Sequence, residues 1–587
     1  MAEALRMFKS SEDESNFEGV SMDETVEETR PIAAGTSMVS WREIAGDSDE
    51  EEEDFDGFSD IEVQELDSDS VSESGSEISS DGFDDIFEWK DNLSSVSVED
   101  FTADFGPRHG LGLDASPKDF FDLFFGDQFF DHIVHATISY ARSNHNDQNF
   151  TTNRDEMSAF FGLNILMGIN RLPTIRSYWD SDLFLGNAGF KTTMPSKRFL
   201  ILNRYFHISD PQQENPTDKL AILRPLISKL DKAFQDVYVP GKNISIDEGL
   251  VKFNGRLSFK QYMPKKPNRF GIKVWMLADS ETYFVPRFQV YLGKQQNADE
   301  NDAVGARGLG FKVVDFLGKP YYNTYRHFYF DNYFSSVPLL EHLLENKTYA
   351  CSTLRHNRKQ FPADLKKVKL KRGEIRTRQN KNLVCMTWQD KRLVTILSTN
   401  VDPQPEVFGP LNERTAKRKA VPDNLRVKPA VISFYNKFMN GVDVNDQYRS
   451  YYPVGAQSKK WWKYLAWFFV NISIVNGFIL QNLQTDRRRR LKHLDFRLAL
   501  ARQLISNYNG YKRISSAPTS RKKDVPVGRN VKGHSLVLSS ERKRACVMCA
   551  KAGRKRASGR TFESKYKCAQ CNVNLCRERA CFMEWHQ

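Results

Sequence analysis

Cysteine is scarce in this 587-residue chain: there are eight, and six of them fall in the last 42 residues. Cys351 and Cys385 lie apart in the body. That distribution rules out a disulfide framework through the body, and the crowding at one end argues for metal ligation in a reducing compartment. No uninterrupted run of 18 apolar residues occurs, so no membrane partner is expected. The opening residues MAEALRMFKSSEDESN lack a charged-then-apolar segment, so no secretion signal is expected either. No internal repeat is visible, which leaves no basis for a repeat architecture.

Basic residues are almost missing from the first fifth of the chain. Residues 1–115 carry 34 acids against 6 Lys plus Arg, about −28, which leaves 78 basic and 41 acidic residues, about +37, in the remainder. The formal net charge of +9 therefore hides two opposed regions. A body that basic calls for a polyanionic partner, most simply nucleic acid. The runs 487-RRRR-490 and 554-RKR-556 suit nuclear import signals and equally suit a solvated or phosphate-facing surface; a nuclear location is expected.

Composition divides the chain further. Residues 1–115, rich in Ser, Asp, Glu and Gly, cannot bury enough apolar surface to offset ordering entropy and are expected to be disordered. From 116 to 240 the apolar periodicity is helical, as in 155-DEMSAFFGLNILMGI-169. Short runs rich in Ile, Val, Tyr and Phe follow over 241–360 (ISIDEGLVKF, GIKVWMLAD, TYRHFYFD) and read as strands of a mixed sheet, which makes the fold class α/β. A basic, choppy stretch over 361–430 reads as a β insertion. Residues 431–456 return to the core, 457–516 form a second helical block, 517–533 a basic linker and 534–587 a cysteine-rich tail.

Four acids stand in settings that call for an explanation. Asp247 lies in 244-ISIDEGL, Asp331 closes the aromatic run HFYF, and Asp443 and Asp446 lie in NGVDVNDQ, three residues apart at a helix start and so on one face. Carboxylates gathered together raise one another's pKa unless cations neutralise them. Two Mg²⁺ or Mn²⁺ ions on hard oxygen ligands, roughly 4 Å apart, would do so and would form the clamp used in phosphoryl transfer.

The tail carries a second pattern: Cys546-x2-Cys549, Cys568-x2-Cys571, then Cys576, Cys581 and His586, with His534 upstream. Paired C-x2-C at this density is a strong zinc signature, because two thiolates of a tight knuckle span one tetrahedral edge. Eight ligands make two Zn²⁺ sites. His534 is the weak member, since its distance from Cys546 is not a standard ligand spacing, and the pairing of ligands is open at this point. Lys551, Arg554, Lys555, Arg556 and Arg560 suggest that the tail grips DNA.

The stretches IDEGLVKFNGRLSFKQYMPKKPNRFGIK, FDNYFSS and GVDVNDQ, in this order and at these separations, resemble the piggyBac family of DDE transposases. The resemblance covers most of residues 117–587. It implies an RNase H-like catalytic core with a β insertion, flanked by a split helical dimerisation and DNA-binding domain and followed by a cross-braced zinc module. It also implies that Asp247, Asp331 and Asp443 are the catalytic metal ligands, with Asp446 an additional one. Arg355 and Arg358 resemble the family's basic pair at target DNA. Trp461 resembles the aromatic beside the cleavage site, although WWKYLAWFF reads equally well as a buried helix face. Lys265, Lys266, Arg269 and Lys273 are expected at phosphates. The implied activity is cut-and-paste transposition by a homodimer: hydrolysis at the transposon end, closure of a DNA hairpin, and joining at TTAA targets. The alternative is a domesticated relative that binds DNA or chromatin without cutting it.

Overall fold

The computed structural model describes residues 87–263, 269–293, 308–403, 409–410, 427–456, 458–506, 508–511, 525–531, 533–539, 542–577 and 579–587. The chain divides into two compact units, Met1–Tyr508 and Asn509–Gln587.

The larger unit opens with helices whose starts are written in the sequence. Ser116 caps the Pro117–Phe125 helix: its amide bonds the Asp119 carboxylate at 2.8 Å, and Pro117 supplies the preset first turn. Asn153 caps Arg154–Ile169 by the reciprocal bond, its side chain accepting from the Glu156 amide at 2.9 Å. These helices bury their aromatic faces against the 24-residue Trp461–Gln484 helix, with Phe161 and Trp467 edge to face at 5.1 Å. Each fully buried ring contributes roughly 1.5–3 kcal/mol, so the many phenylalanines carry much of this core. By length and composition the Trp461–Gln484 helix could cross a membrane, but 83% of its most apolar window is buried in this fold.

Strands β1 (Gly106–Pro107) and β2 (Tyr238–Val239) form a small antiparallel pair just before the main sheet. That sheet has nine strands: β3 (Asn243–Lys252), β4 (Gln261–Tyr262), β5 (Phe270–Asp279), β6 (Arg287–Val290), β7 (His327–Phe330), β8 (Tyr349–Thr353), β9 (Ile375–Asn380), β10 (Leu383–Gln389) and β11 (Leu393–Ser398). β4 and β6 pair with β5, β5 runs antiparallel to β3, and β3, β7 and β8 are mutually parallel. All four residues of β7 are buried, as an interior strand of a sheet covered on both faces requires.

Two features of the organisation come from long-range packing. The basic stretch after residue 360, read as a β insertion, is continuous with the main sheet. Its strands β9–β11 extend the main sheet, β11 pairing antiparallel with β8, because β8 offered an open edge whose amides needed partners. The acidic region, expected to be disordered through residue 115, is packed from Phe87 onward; the part before Phe87 lies outside the described residues. Phe87 and Trp89 lie against the sheet's apolar core, and Trp89 Nε1 donates to the Gln360 carbonyl at 2.7 Å. Lys90 and Gln379 exchange main-chain hydrogen bonds at 2.8 and 2.9 Å. Phe101 lies 4.9 Å beneath the Arg326 guanidinium. A handful of aromatic anchors outweighs the surrounding acidity.

In the smaller unit, Val525–Val531 pairs antiparallel with His534–Leu538, which in turn pairs with Tyr566–Cys568. Part of the expected linker 517–533 is therefore strand.

Candidate active site and metal-ligand groups

β3 and β7 run parallel with Ile246 opposite Phe330, so the next residues, Asp247 within β3 and Asp331 just past the end of β7, stand at the same level. The aromatic run ahead of Asp331 is thus the buried interior strand that delivers a carboxylate to the sheet's end. The Gly441–Tyr451 helix brings the third acid. It lies so close on β3 that a Cβ on Gly441 would stand 2.3 Å from Ser245 Oγ and 3.3 Å from the Asp279 carbonyl. Farther along the strand, a Cβ on Gly249 would meet Met276 Cε at 2.6 Å and Asp446 Oδ1 at 3.6 Å. Glycine at 441 lets helix and strand touch, and Asp443 in the first helical turn acts electrostatically on Asp247.

Burial pushes the Asp247 carboxyl up to about 8, and the charges of Glu248, Asp331 and Asp443 add to it, while the Glu248 amide, donating to Asp247 Oδ1 at 2.8 Å, pulls the other way. Burial also raises Asp331, with Glu248 adding; the Tyr333 amide, at 2.9 Å from Asp331 Oδ1, and the Lys273 and Arg355 cations oppose the shift. A set of anionic oxygens this short of compensating charge fits a hard divalent cation. The three carboxylates do not crowd as tightly as the tail's metal-ligand groups, whose atoms all lie within 4.8 Å of one another.

The other expected residues divide. Asp446 is partly exposed and lies next to Arg449, three residues on in the same helix. Lys273 is 8% exposed, 3.6 Å from Glu248, with its ammonium 4.1 Å from the Tyr333 ring centre. Arg355 is exposed and donates to Asn332 Oδ1 at 2.8 Å, beside Asp331. Arg358 caps the carbonyls of Asn332 and Tyr333 at 2.9 and 2.7 Å. Trp461 is half-buried at the head of its helix, edge to face with Phe259 at 5.2 Å. Arg269 is exposed, and Lys265 and Lys266 lie outside the described residues. One neighbour was not expected: Tyr435, on the Ala430–Phe438 helix, feels the charges of both Asp331 and Asp247, and burial raises its hydroxyl pKa. Its place in an ordinary amphipathic helix gave no signal.

In the tail, Cys546, Cys549, Cys576 and Cys581 form one group and His534, Cys568, Cys571 and His586 the other, each with its ligand atoms within 4.8 Å of one another. The two sets interleave along the chain. The short connection between Val531 and His534 sets His534 beside the second knuckle, its Nδ1 3.2 Å from Cys571 Sγ and 3.5 Å from Cys568 Sγ. His586 Nδ1 is fixed by the Phe582 carbonyl at 2.7 Å, leaving Nε2 3.5 Å from Cys571 Sγ. Thiolate and imidazole donors in fours could hold zinc. Of the basic residues here, Arg554 is tied to Glu584 at 2.9 Å, whereas Lys551, Lys555, Arg556 and Arg560 are exposed.

Residues 116–478 match the model of the Transposase IS4 family, in its piggyBac type. The chain belongs to that family. It is 27% identical over 483 residues to human PiggyBac transposable element-derived protein 3, covering 80% of this chain and 76% of that protein. With human PiggyBac transposable element-derived protein 2 it shares 24% over 440 residues, 74% of this chain and 72% of the other. Among solved structures, the cryo-EM synaptic complex of piggyBac transposase with hairpin DNA superposes with a TM-score of 0.62 at 25% identity, covering 81% of this chain and 98% of that one. This family member thus has a mixed α/β fold resembling piggyBac transposase.

Proposed function

We propose that the chain is a DNA strand-cleaving and strand-joining enzyme, a cut-and-paste transposase. The observation that carries this reading is the delivery of Asp247 and Asp331 to one level of two parallel strands, with Asp443 close enough to raise the Asp247 pKa. The order β5–β3–β7–β8, with β3, β7 and β8 parallel, supports an RNase H-like core. Asp247, Asp331 and Asp443 would hold a pair of Mg²⁺ or Mn²⁺ ions, which would supply activation of the attacking oxygen and stabilisation of the leaving one. The chain's own contribution is positioning: rigid strands fix two carboxylates, the glycine-dependent helix fixes the third, and Arg355 offers a cation beside Asp331 for a phosphate.

On this reading the DNA partner is double-stranded, with transposon end repeats and a TTAA target, and end closure passes through a hairpin; a solved relative is a complex with hairpin DNA. Two ends held together call for a homodimer, and the substrate places the protein in the nucleus. The tail would bind two Zn²⁺ and grip DNA through its exposed Lys551, Lys555, Arg556 and Arg560.

The human relatives are named as derived from a transposable element, which sustains a second reading, a DNA binder without cleavage. A Mg²⁺-dependent nicking assay on the element's own end sequences, wild type against Asp331→Ala, separates the two. Cleavage lost in the variant with DNA binding intact supports the enzyme; DNA binding by the wild type with no metal-dependent cleavage supports the binder.

A further inference from the structure

Asp331 leads from β7 into a turn, 332–334, that precedes the Val337–Glu345 helix. The Tyr333 amide donates to Asp331 Oδ1 at 2.9 Å, so the direction of the carboxylate depends on where Tyr333 is held. Several separate pieces of the fold hold it. Arg358, in the loop after β8, donates from Nη2 to the Asn332 carbonyl at 2.9 Å and to the Tyr333 carbonyl at 2.7 Å. Gly310, at the start of the Leu309–Gly318 helix, lies so close that a Cβ there would stand 2.9 Å from Phe334 Cα and 3.0 Å from the Tyr333 carbonyl oxygen. From β5, the Lys273 ammonium lies 4.1 Å from the Tyr333 ring centre. Just past the turn, Ser335 Oγ meets Ser352 Oγ of β8 at 2.8 Å, both side chains fully buried.

The two arginines of this loop meet the turn differently. A guanidinium nitrogen of the Nη kind carries two hydrogens in a fixed planar fork. Arg358 Nη2 gives both to successive main-chain carbonyls, which leaves that nitrogen none for a phosphate. Its own loop is anchored, since the Arg358 amide donates to the Arg355 carbonyl at 3.1 Å and Trp89 Nε1 to the Gln360 carbonyl at 2.7 Å. Arg355 is exposed and meets the turn at a side chain, Nε to Asn332 Oδ1 at 2.8 Å.

We infer that Arg358 is a positioning residue: its fork on the Asn332 and Tyr333 carbonyls pins the turn that aims the Asp331 carboxylate, and Arg355 is the member of the pair that meets DNA. This divides the labour of a pair that the family resemblance sets together at target DNA. It deepens, and rests on, the proposed reading of Asp247, Asp331 and Asp443 as the metal-holding set.

The test uses the full chain, zinc-loaded and free of magnesium, as wild type, Arg358→Gln, Arg358→Lys and Arg355→Gln. Three quantities are measured: amide hydrogen exchange over 332–335, Mn²⁺ binding by electron paramagnetic resonance, and the salt dependence of binding to a duplex oligonucleotide. Arg358→Gln is expected to speed exchange in the turn and to weaken Mn²⁺ binding, each by about tenfold or more, with the salt slope unchanged. Arg358→Lys keeps the charge but ends one bond short of Nη2, so it follows Arg358→Gln in exchange and Mn²⁺ binding, whereas a phosphate contact would survive it. It also decides the matter if Arg358→Gln does not fold. Arg355→Gln leaves exchange and Mn²⁺ binding within about threefold of wild type and lowers the slope of log affinity against log salt by close to one. Turn exchange unchanged in the Arg358 variants, or a slope lowered in Arg358→Gln as much as in Arg355→Gln, overturns the inference. If the wild type itself binds no Mn²⁺, the cleavage function falls, while exchange and slope still decide whether Arg358 holds the turn.

Discussion

Asp247 and Asp331 occupy equivalent positions on adjacent parallel strands, each one residue past the paired Ile246 and Phe330. Two carboxylates so placed disfavour each other's ionisation, and without metal the protein carries that cost as reduced stability.

That cost depends on pH in a definite direction. Asp247 has its folded pKa raised to about 8, above its unfolded value, so the native state binds the extra proton. Metal-free stability is therefore expected to fall as pH rises from about 4 towards 8. Asp247→Asn should flatten that slope and, at pH 8, stabilise the metal-free protein by about 1–2 kcal/mol after allowance for solvent screening. Denaturant unfolding at several pH values, with zinc retained, checks it; a slope unchanged by the substitution contradicts the crowded-carboxylate geometry.

Gly441→Ala tests the helix-to-strand contact. The added methyl would fall 2.3 Å from Ser245 Oγ, so the helix must move. A loss of about 1–3 kcal/mol is expected, with nicking activity down about tenfold or more and DNA affinity held. Gly249→Ala, against the more yielding Met276 Cε, should cost less. Equal and negligible effects at both sites would mean that the contact is not tight.

Metal analysis of the purified chain should find two zinc ions. Cys549→Ser or strong chelation is expected to unfold the Asn509–Gln587 unit and leave Met1–Tyr508 folded, visible as proteolysis confined to the tail. Because the two ligand sets alternate along the chain, His534→Ala should loosen the whole tail rather than one end of it.

DNA affinity should fall steeply with salt, since the body carries 78 basic residues against 41 acids. Replacing Lys551, Lys555, Arg556 and Arg560 by Gln should reduce the slope of log affinity against log salt, by close to one for each phosphate contact removed. A flat titration of the wild type would contradict phosphate binding by the body.

Much of this was legible in the sequence because the signals were local. A run of consecutive aromatics placed β7 ahead of Asp331, and the cysteine knuckles marked the tail as metal-binding, though not which ligands share an ion. What escaped was long-range. β9–β11 joined the main sheet through pairing with β8 that no local pattern encodes. The charge of Lys273 was visible in the sequence, but its partner Glu248, 3.6 Å away on the neighbouring strand, was not. Arg449 carries a charge, yet only packing against Phe468 reveals that its guanidinium is interior. Phe87, Trp89 and Phe101 were masked by the acidic residues around them, since composition averages over a few anchors that decide the outcome.

Those anchors matter beyond tidy packing. β9 is the last strand of the sheet, and the chain around Lys90 lies alongside it. A shortened chain begun at the first helix would lose that cover and leave unpaired amides beside the vacated seat of Trp89, an invitation to copies of itself to stack edge on edge. The leader that looks dispensable by composition thus guards solubility, and truncations meant to ease expression should stop short of Phe87.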